Sequence, residues 1–182
     1  MRSLSIIGIP LFKGQRFVGV KDAPKYFRYN NFKSKINKNV TFSDIKVEEK
    51  DLSKSLIKIK DIISDNHKND FNLFIGGDHS MSMATISSKI SDIKDNYAIV
   101  WIDAHTDCNT FETSPTNNVH GMSVSGLTGL LPGPYQKFKS ISSKNIIYIG
   151  IRSIDKGENE ILKKNESKVI SMDDINNDFE NK

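Results

Sequence analysis

The chain has 182 residues, 37% hydrophobic and 26% charged, with a formal net charge of +4. That length suits one domain with a real core, and the surplus Lys is scattered rather than gathered into a stripe with aromatics, which argues against nucleic acid as a partner. The single cysteine, Cys108, leaves no intrachain disulfide and fits a reducing, cytoplasmic setting, while no apolar run is long enough for a membrane span or a signal peptide.

Leu4 to Ile9 reads as a buried strand closed by Pro10, followed by a loop through Gly14 and Gly19. Asp22 is placed to cap a short helix with Pro24 in its first turn and Tyr26 and Phe27 as buried contacts. Asn30 to Asn39 is a polar connection, and Val40 to Ile45 alternates roughly as a strand does. Asp51 then caps a helix in which Leu52, Leu56, Ile59 and Ile63 recur at helical spacing, with Lys54, Lys58 and Lys60 on its wet face. Phe71 to Ile75 is a strand, and Gly76-Gly77-Asp78-His79-Ser80 leads into a helix toward Ile90. Tyr97 to Ile102 reads as the central, buried strand of a parallel sheet. A polar loop from Phe111 to Val119 ends in His120-Gly121-Met122, before a helix with Val124 and Leu127. Leu131 to Pro134 is a loop, Ile146 to Ile151 a buried strand, and Asp155 with Glu158 the pattern of a capping box opening a helix to Lys163. Val169 and Ile170 form a short strand, and no element is assigned from Asp173 to Lys182. Strands alternating with helices specify α/β with a mostly parallel sheet. With no repeat or shift in composition, residues 1–182 read as a single domain.

Chemistry concentrates after the central strand, in Asp103-Ala104-His105-Thr106-Asp107. In an extended backbone, alternate residues share a face, so Asp103, His105 and Asp107 are expected to converge. The ends of parallel strands are where α/β sheets bind ligands. A polar loop that happens to hold Asp and His is the alternative. His79 follows another strand and two glycines, which bring the backbone close to whatever it contacts. A mixed set of carboxylates and imidazoles suits Mn²⁺, or Fe²⁺, Co²⁺ or Ni²⁺, and not a structural zinc site.

Gly76-Gly77-Asp78-His79-Ser80, Asp103-Ala104-His105-Thr106-Asp107 and His120-Gly121 together resemble the ureohydrolases, the dinuclear manganese amidinohydrolases. Lys13-Gly14-Gln15 with Gly19-Val20, Asn109-Thr110, and Ile149-Gly150-Ile151-Arg152 leading to Asp155 and Gly157-Glu158 are similar to arginase more than to agmatinase. The resemblance runs from about Leu4 to Met172. It implies a three-layer α/β fold and hydrolysis of L-arginine to L-ornithine and urea by a hydroxide bridging two Mn²⁺. It also implies that His79, Asp103 and Asp107 hold one manganese, and that His105 with a bridging Asp103 holds the other. His120 would shuttle a proton to the leaving amine; the alternative is a histidine that merely opens a helix. The stretch His105, Thr106, Asp107, Cys108 and Asn109, the loop Thr116-Asn117-Asn118, and Asp155 would meet the substrate's α-carboxylate and α-amino group. Asp155 also fits a helix N-cap, and Cys108 reads as a packing residue rather than a nucleophile. A complete chain of this kind is expected to be a homo-oligomer.

The resemblance has departures. Asn117 stands where the family usually has glycine, so a glycine-permitted backbone shape is expected to be altered. Lys156 stands where proline is usual. The family's Asp-x-Asp-x-x-Asp-Pro motif, which completes both metal sites, and a later Glu have no counterpart in these residues. In the family, the last two strands insert between those ending here at Ile75 and Ile102. The expectation is therefore that these two strands either pair directly or leave apolar edges open, giving a compromised fold and weak dinuclear binding. Two readings stand: an arginase represented by an incomplete chain, which is preferred for its intact motif spacing, and a short non-catalytic relative that binds metal or a partner.

Overall fold

The computed structural model describes residues 4–29, 40–66, 71–90, 93 and 97–180. These fall into two compact units, Met1–Lys89 and Ile90–Lys182, each built on three parallel strands.

In the first unit the order is β1 (Leu4–Ile9), α1 (Ala23–Tyr29), β2 (Val40–Asp44), α2 (Leu52–Asn66), β3 (Phe71–Gly76) and α3 (Met81–Ile90). The strands are ordered β2-β1-β3. β1 lies in the middle because Ile6, Ile7 and Ile9 occupy successive faces and all are fully buried, as a strand covered on both sides of a parallel sheet requires. Of the stripe expected along α2, Leu56, Ile59 and Ile63 are buried and Leu52, in the first turn, is half-buried, each fully buried side chain contributing about 1.5–3 kcal/mol relative to exposure. Asp51 caps this helix, its Oδ1 accepting the Lys54 N–H at 2.9 Å.

The reading of α1 needs correction. Asp22 belongs to a 3-10 helix, Val18–Asp22, that precedes it. Tyr26 and Phe27 are exposed rather than core, at 65% and 42%. Pro24 is the buried contact instead, packed over Gly8. Arg28 pairs with Asp44 and lies over the Phe42 ring, which keeps its face of the helix at the surface. The polar connection from Asn30 to Asn39 lies outside the described residues.

The second unit runs β4 (Ile99–Ile102), α4 (Ser123–Thr128), β5 (Ile146–Ile151), α5 (Lys156–Lys164), β6 (Lys168–Ser171) and α6 (Met172–Glu180). Its sheet is ordered β4-β5-β6, with Ile146, Tyr148 and Ile151 of the middle strand buried. Met122, Leu127, Leu131 and Phe138 supply the rest of a dense core at 0% exposure. Leu131 to Pro134 is not all loop. Gly133 takes a φ of 65°, and a 3-10 helix, Gly133–Phe138, starts there with proline in its first turn.

Three further expectations change in this unit. Tyr97 and Ala98 stand outside the strand, because the Tyr97 hydroxyl turns to accept the Ser142 N–H at 3.3 Å. β4 is an edge strand rather than central, and with β5 on one side only it leaves Val100 and Ile102 exposed at 54% and 76%. The segment after Asp173 is helical. Ser171 caps α6, its hydroxyl accepting the Asp174 N–H at 3.1 Å while Asp174 Oδ2 accepts the Ser171 N–H at 2.8 Å. β3 and β4 belong to different sheets and each is an edge strand, so of the two expected outcomes it is the open edge that occurs among the described residues. No described helix is long and apolar enough to cross a membrane.

Candidate metal centre

In the first unit, β3 ends in the loop that carries His79. Gly77 is required there because a Cβ would fall 1.8 Å from the Leu11 carbonyl oxygen. The Gly77 N–H donates to Ile9 O at 3.1 Å and the Asp78 N–H to Leu11 O at 2.9 Å. The close approach that the glycines permit is thus to the loop following β1. Asp78 is buried, and its carboxylate accepts the Gly14 N–H at 2.9 Å on one oxygen and the Ser80 N–H at 2.9 Å on the other. His79 is consequently held half-buried at the start of α3, its carbonyl accepting the Ser82 N–H at 3.0 Å.

In the second unit, the loop after β4 carries the other candidates. Gly150, with a φ of 83°, shifts the register of β5 against β6. Beyond this bulge, Arg152 and Ser153 donate backbone N–H groups to Ala104 O at 3.0 and 3.1 Å. Asp103 Oδ1 accepts the His105 N–H at 3.0 Å and stands 3.5 Å from His105 Nδ1. The Asp103 and Asp107 carboxylates come within 4.8 Å of one another. They do so for a different reason than alternation along an extended strand. The strand stops at Ile102, the chain bends, and Asp107 takes a left-handed φ of 48°. His105 is left largely exposed, whereas Thr106, Asp107, Cys108 and Asn109 are buried.

This inner stretch is fixed from two sides. The start of α4 holds its carbonyls: Asp107 O accepts the Val124 N–H at 2.9 Å and Cys108 O the Ser125 hydroxyl at 2.7 Å. The buried Glu158 of α5 holds its donors: Oε1 accepts the Thr106 hydroxyl at 2.8 Å and the Cys108 N–H at 3.2 Å. Burial pushes the Cys108 thiol up to about 12, so it packs as a thiol and is no nucleophile.

Asn109 and Asp155 come together, Asn109 Nδ2 donating to Asp155 Oδ2 at 2.8 Å. Thr113 supports the pair by donating its hydroxyl to Asn109 Oδ1 at 2.9 Å. Asp155 is also the N-cap of α5, with its N–H given to Glu158 Oε2 at 3.0 Å, so the two readings of Asp155 are compatible. Thr116 and Asn117 are exposed. Asn117 adopts a φ of 57°, a left-handed conformation that asparagine tolerates far better than other non-glycine residues. Asn118 gives its N–H to the Thr116 hydroxyl at 3.3 Å. His120 is half-buried in the 3-10 helix Val119–Met122.

Two carboxylates escaped the sequence reading of the site. Asp78 stands in the motif beside His79, and Glu158 in the capping pattern and beside Gly157 in the arginase resemblance, without a site role assigned to either. The signal for both was an acidic side chain flanked by Ser or opening a helix, where backbone N–H groups lack partners.

A profile of the arginase family matches residues 2–180. The chain belongs to the arginase family. It is 34% identical to the Staphylococcus aureus (strain COL) arginase over 96% of its own length, and spans 65% of that relative. Against the Bos taurus arginase the identity is 32%, with 62% of that relative spanned. Its fold superposes on the arginase of Entamoeba histolytica, solved in complex with L-ornithine, with a TM-score of 0.88 and 30% identity, covering 97% of this chain and 66% of that one. The fold is shared more widely: the Bacillus subtilis formimidoylglutamase matches with a TM-score of 0.73 at 25% identity, with 57% of that chain covered. The donors of the arginase-type loops, carboxylate oxygens and imidazole nitrogens without thiolates, fit a Mn²⁺ site.

Proposed function

We propose that these residues form part of an arginase site that hydrolyses L-arginine to L-ornithine and urea with manganese. The observation that carries this reading is the paired Asp103 and Asp107 carboxylates beside His105, on a loop whose sequence is that of the arginase family. In this reading His79, Asp103 and Asp107 hold one Mn²⁺, and His105 with Asp103 holds the second. When bound, manganese lowers the pKa of water toward neutrality and so supplies the nucleophile. His120 passes a proton to the leaving amine, a role that imidazole fills near neutral pH. Asn109, Thr116, Asn117, Asn118 and Asp155 take the α-carboxylate and α-amino group, with Asp155 as the anionic partner of the amine. Thr106 and Cys108 serve that array by their packing.

The chain spans about two thirds of its curated relatives' length, and no Asp-x-Asp-x-x-Asp-Pro occurs in its 182 residues. Residues 1–182 with Mn²⁺ and L-arginine should therefore release little urea. A hybrid that appends the remaining third of the Staphylococcus aureus arginase should hydrolyse L-arginine and spare agmatine, and should lose that activity on Asp103→Asn. A hybrid inert toward arginine, or one that keeps its activity after Asp103→Asn, refutes the assignment. A second reading is a relative that binds metal without turnover. Under it, residues 1–182 bind Mn²⁺ and the hybrid stays silent.

A further inference from the structure

We propose that Glu158 is a positioning residue that holds the metal-binding loop and the substrate-binding end of α5 in one frame. The inference rests on the arginase reading of Asp107 and Asp155, and it concerns a side chain to which that reading gives no role.

Glu158 is 3% exposed, yet three donors converge on it. Oε1 takes the Thr106 hydroxyl and the Cys108 N–H, the neighbours of Asp107 on either side. Oε2 takes the Asp155 N–H. Helix capping accounts for the last contact alone. The first two reach across 52 and 50 residues of sequence to the stretch in which Asp107 turns left-handed. With its flanking residues tied to a buried anion and its carbonyl held by Val124, Asp107 has its carboxylate set before any metal arrives. Asp155 is set by the same side chain and meets Asn109 from the other direction. Gly157 lets this helix start press against Thr113, where a Cβ would lie 2.4 Å from the Thr113 Cβ.

Only a carboxylate offers acceptors on both oxygens. Glutamine at this place offers one acceptor and one donor, so one of the two backbone N–H groups must lose its partner, and alanine loses all three contacts. Groups that orient metal ligands typically change metal affinity about 10–100-fold when removed. The test compares the 182-residue protein with its Glu158→Gln and Glu158→Ala variants. Mn²⁺ affinity is measured by electron paramagnetic resonance, and amide hydrogen exchange at Cys108 and Asp155 by NMR. The expected order of affinity is wild type, then Gln, then Ala, with about a tenfold loss or more in Ala and faster exchange at both amides. Leu162→Ala, which removes a buried side chain from the same helix, controls for destabilisation and should leave the affinity of the folded protein unchanged. If the wild type binds Mn²⁺ and both Glu158 variants match it, the positioning role is wrong while the metal reading stands. If the wild type binds no Mn²⁺, the activity of the hybrid tests the metal reading and the exchange rates alone decide the inference: unchanged protection of Cys108 and Asp155 in both variants overturns it.

Discussion

Two buried carboxylates, Asp78 and Glu158, do the same job in different units. Each accepts two backbone N–H groups, Asp78 from Gly14 and Ser80 and Glu158 from Cys108 and Asp155, so these buried loop amides are satisfied inside the protein. Neither function was legible beforehand, because an Asp or Glu in a motif carries no mark of which distant amide it will meet. Residue chemistry does lead to firm expectations elsewhere. Gly77→Ala forces a Cβ onto the Leu11 carbonyl oxygen and should destabilise the first unit by roughly 1–3 kcal/mol or more, read as a lower urea midpoint. A midpoint within error of wild type would contradict the close approach described. With its thiol held up to about 12 by burial, Cys108 should resist alkylation in the native protein even at pH 9, where an ordinary cysteine is largely ionised. Rapid native-state labelling would show that the loop is open.

At the scale of elements, periodicity was a good guide wherever a face is buried. Ile59 and Ile63 of α2 sit in the core as their spacing requires, and Ile59→Ala should cost about 2–5 kcal/mol. α6 is a different case. Its cap, Ser171-Met172-Asp173-Asp174, has the Ser-x-x-Asp pattern of a capping box, and Met172, Ile175 and Phe179 follow at helical spacing, so the helix is written in the sequence although no element is assigned there. The Ser171 hydroxyl, and then its N–H, donate to Asp174 and hold its carboxyl below the usual 3.8. A depressed carboxylate value stabilises the fold above the unfolded pKa, and that contribution is lost as pH falls through the folded value. Ser171→Ala should therefore raise the Asp174 titration midpoint seen by NMR, and should remove this part of the acid sensitivity of α6. An unmoved midpoint would mean that the cap does not form in solution.

For the whole molecule, the consequence of two edge strands is exposed apolar surface. Val100 and Ile102 of β4, and Phe71 at 60% on β3, stand in solvent on strands whose outer edges meet no described partner. Unpaired edges with apolar side chains invite association. The 182-residue protein should therefore self-associate with rising concentration in sedimentation velocity, and Val100→Lys with Ile102→Lys should shift it toward monomer. A protein that stays monomeric at high concentration would remove that expectation.

Sequence alone determined the α/β class, the order of strands and helices as far as β6, the family, and which side chains stand at strand ends, since periodicity and motif spacing are local properties written directly in residue order. Tertiary structure decided the rest. It placed Asp103 and Asp107 together through a bend and a left-handed residue rather than through strand alternation, and it made β4 an edge. It also turned Asp78 and Glu158 into anchors. These outcomes depend on which hydrogen-bond donors meet which acceptors across long stretches of chain, and residue order constrains such meetings only through the fold it produces.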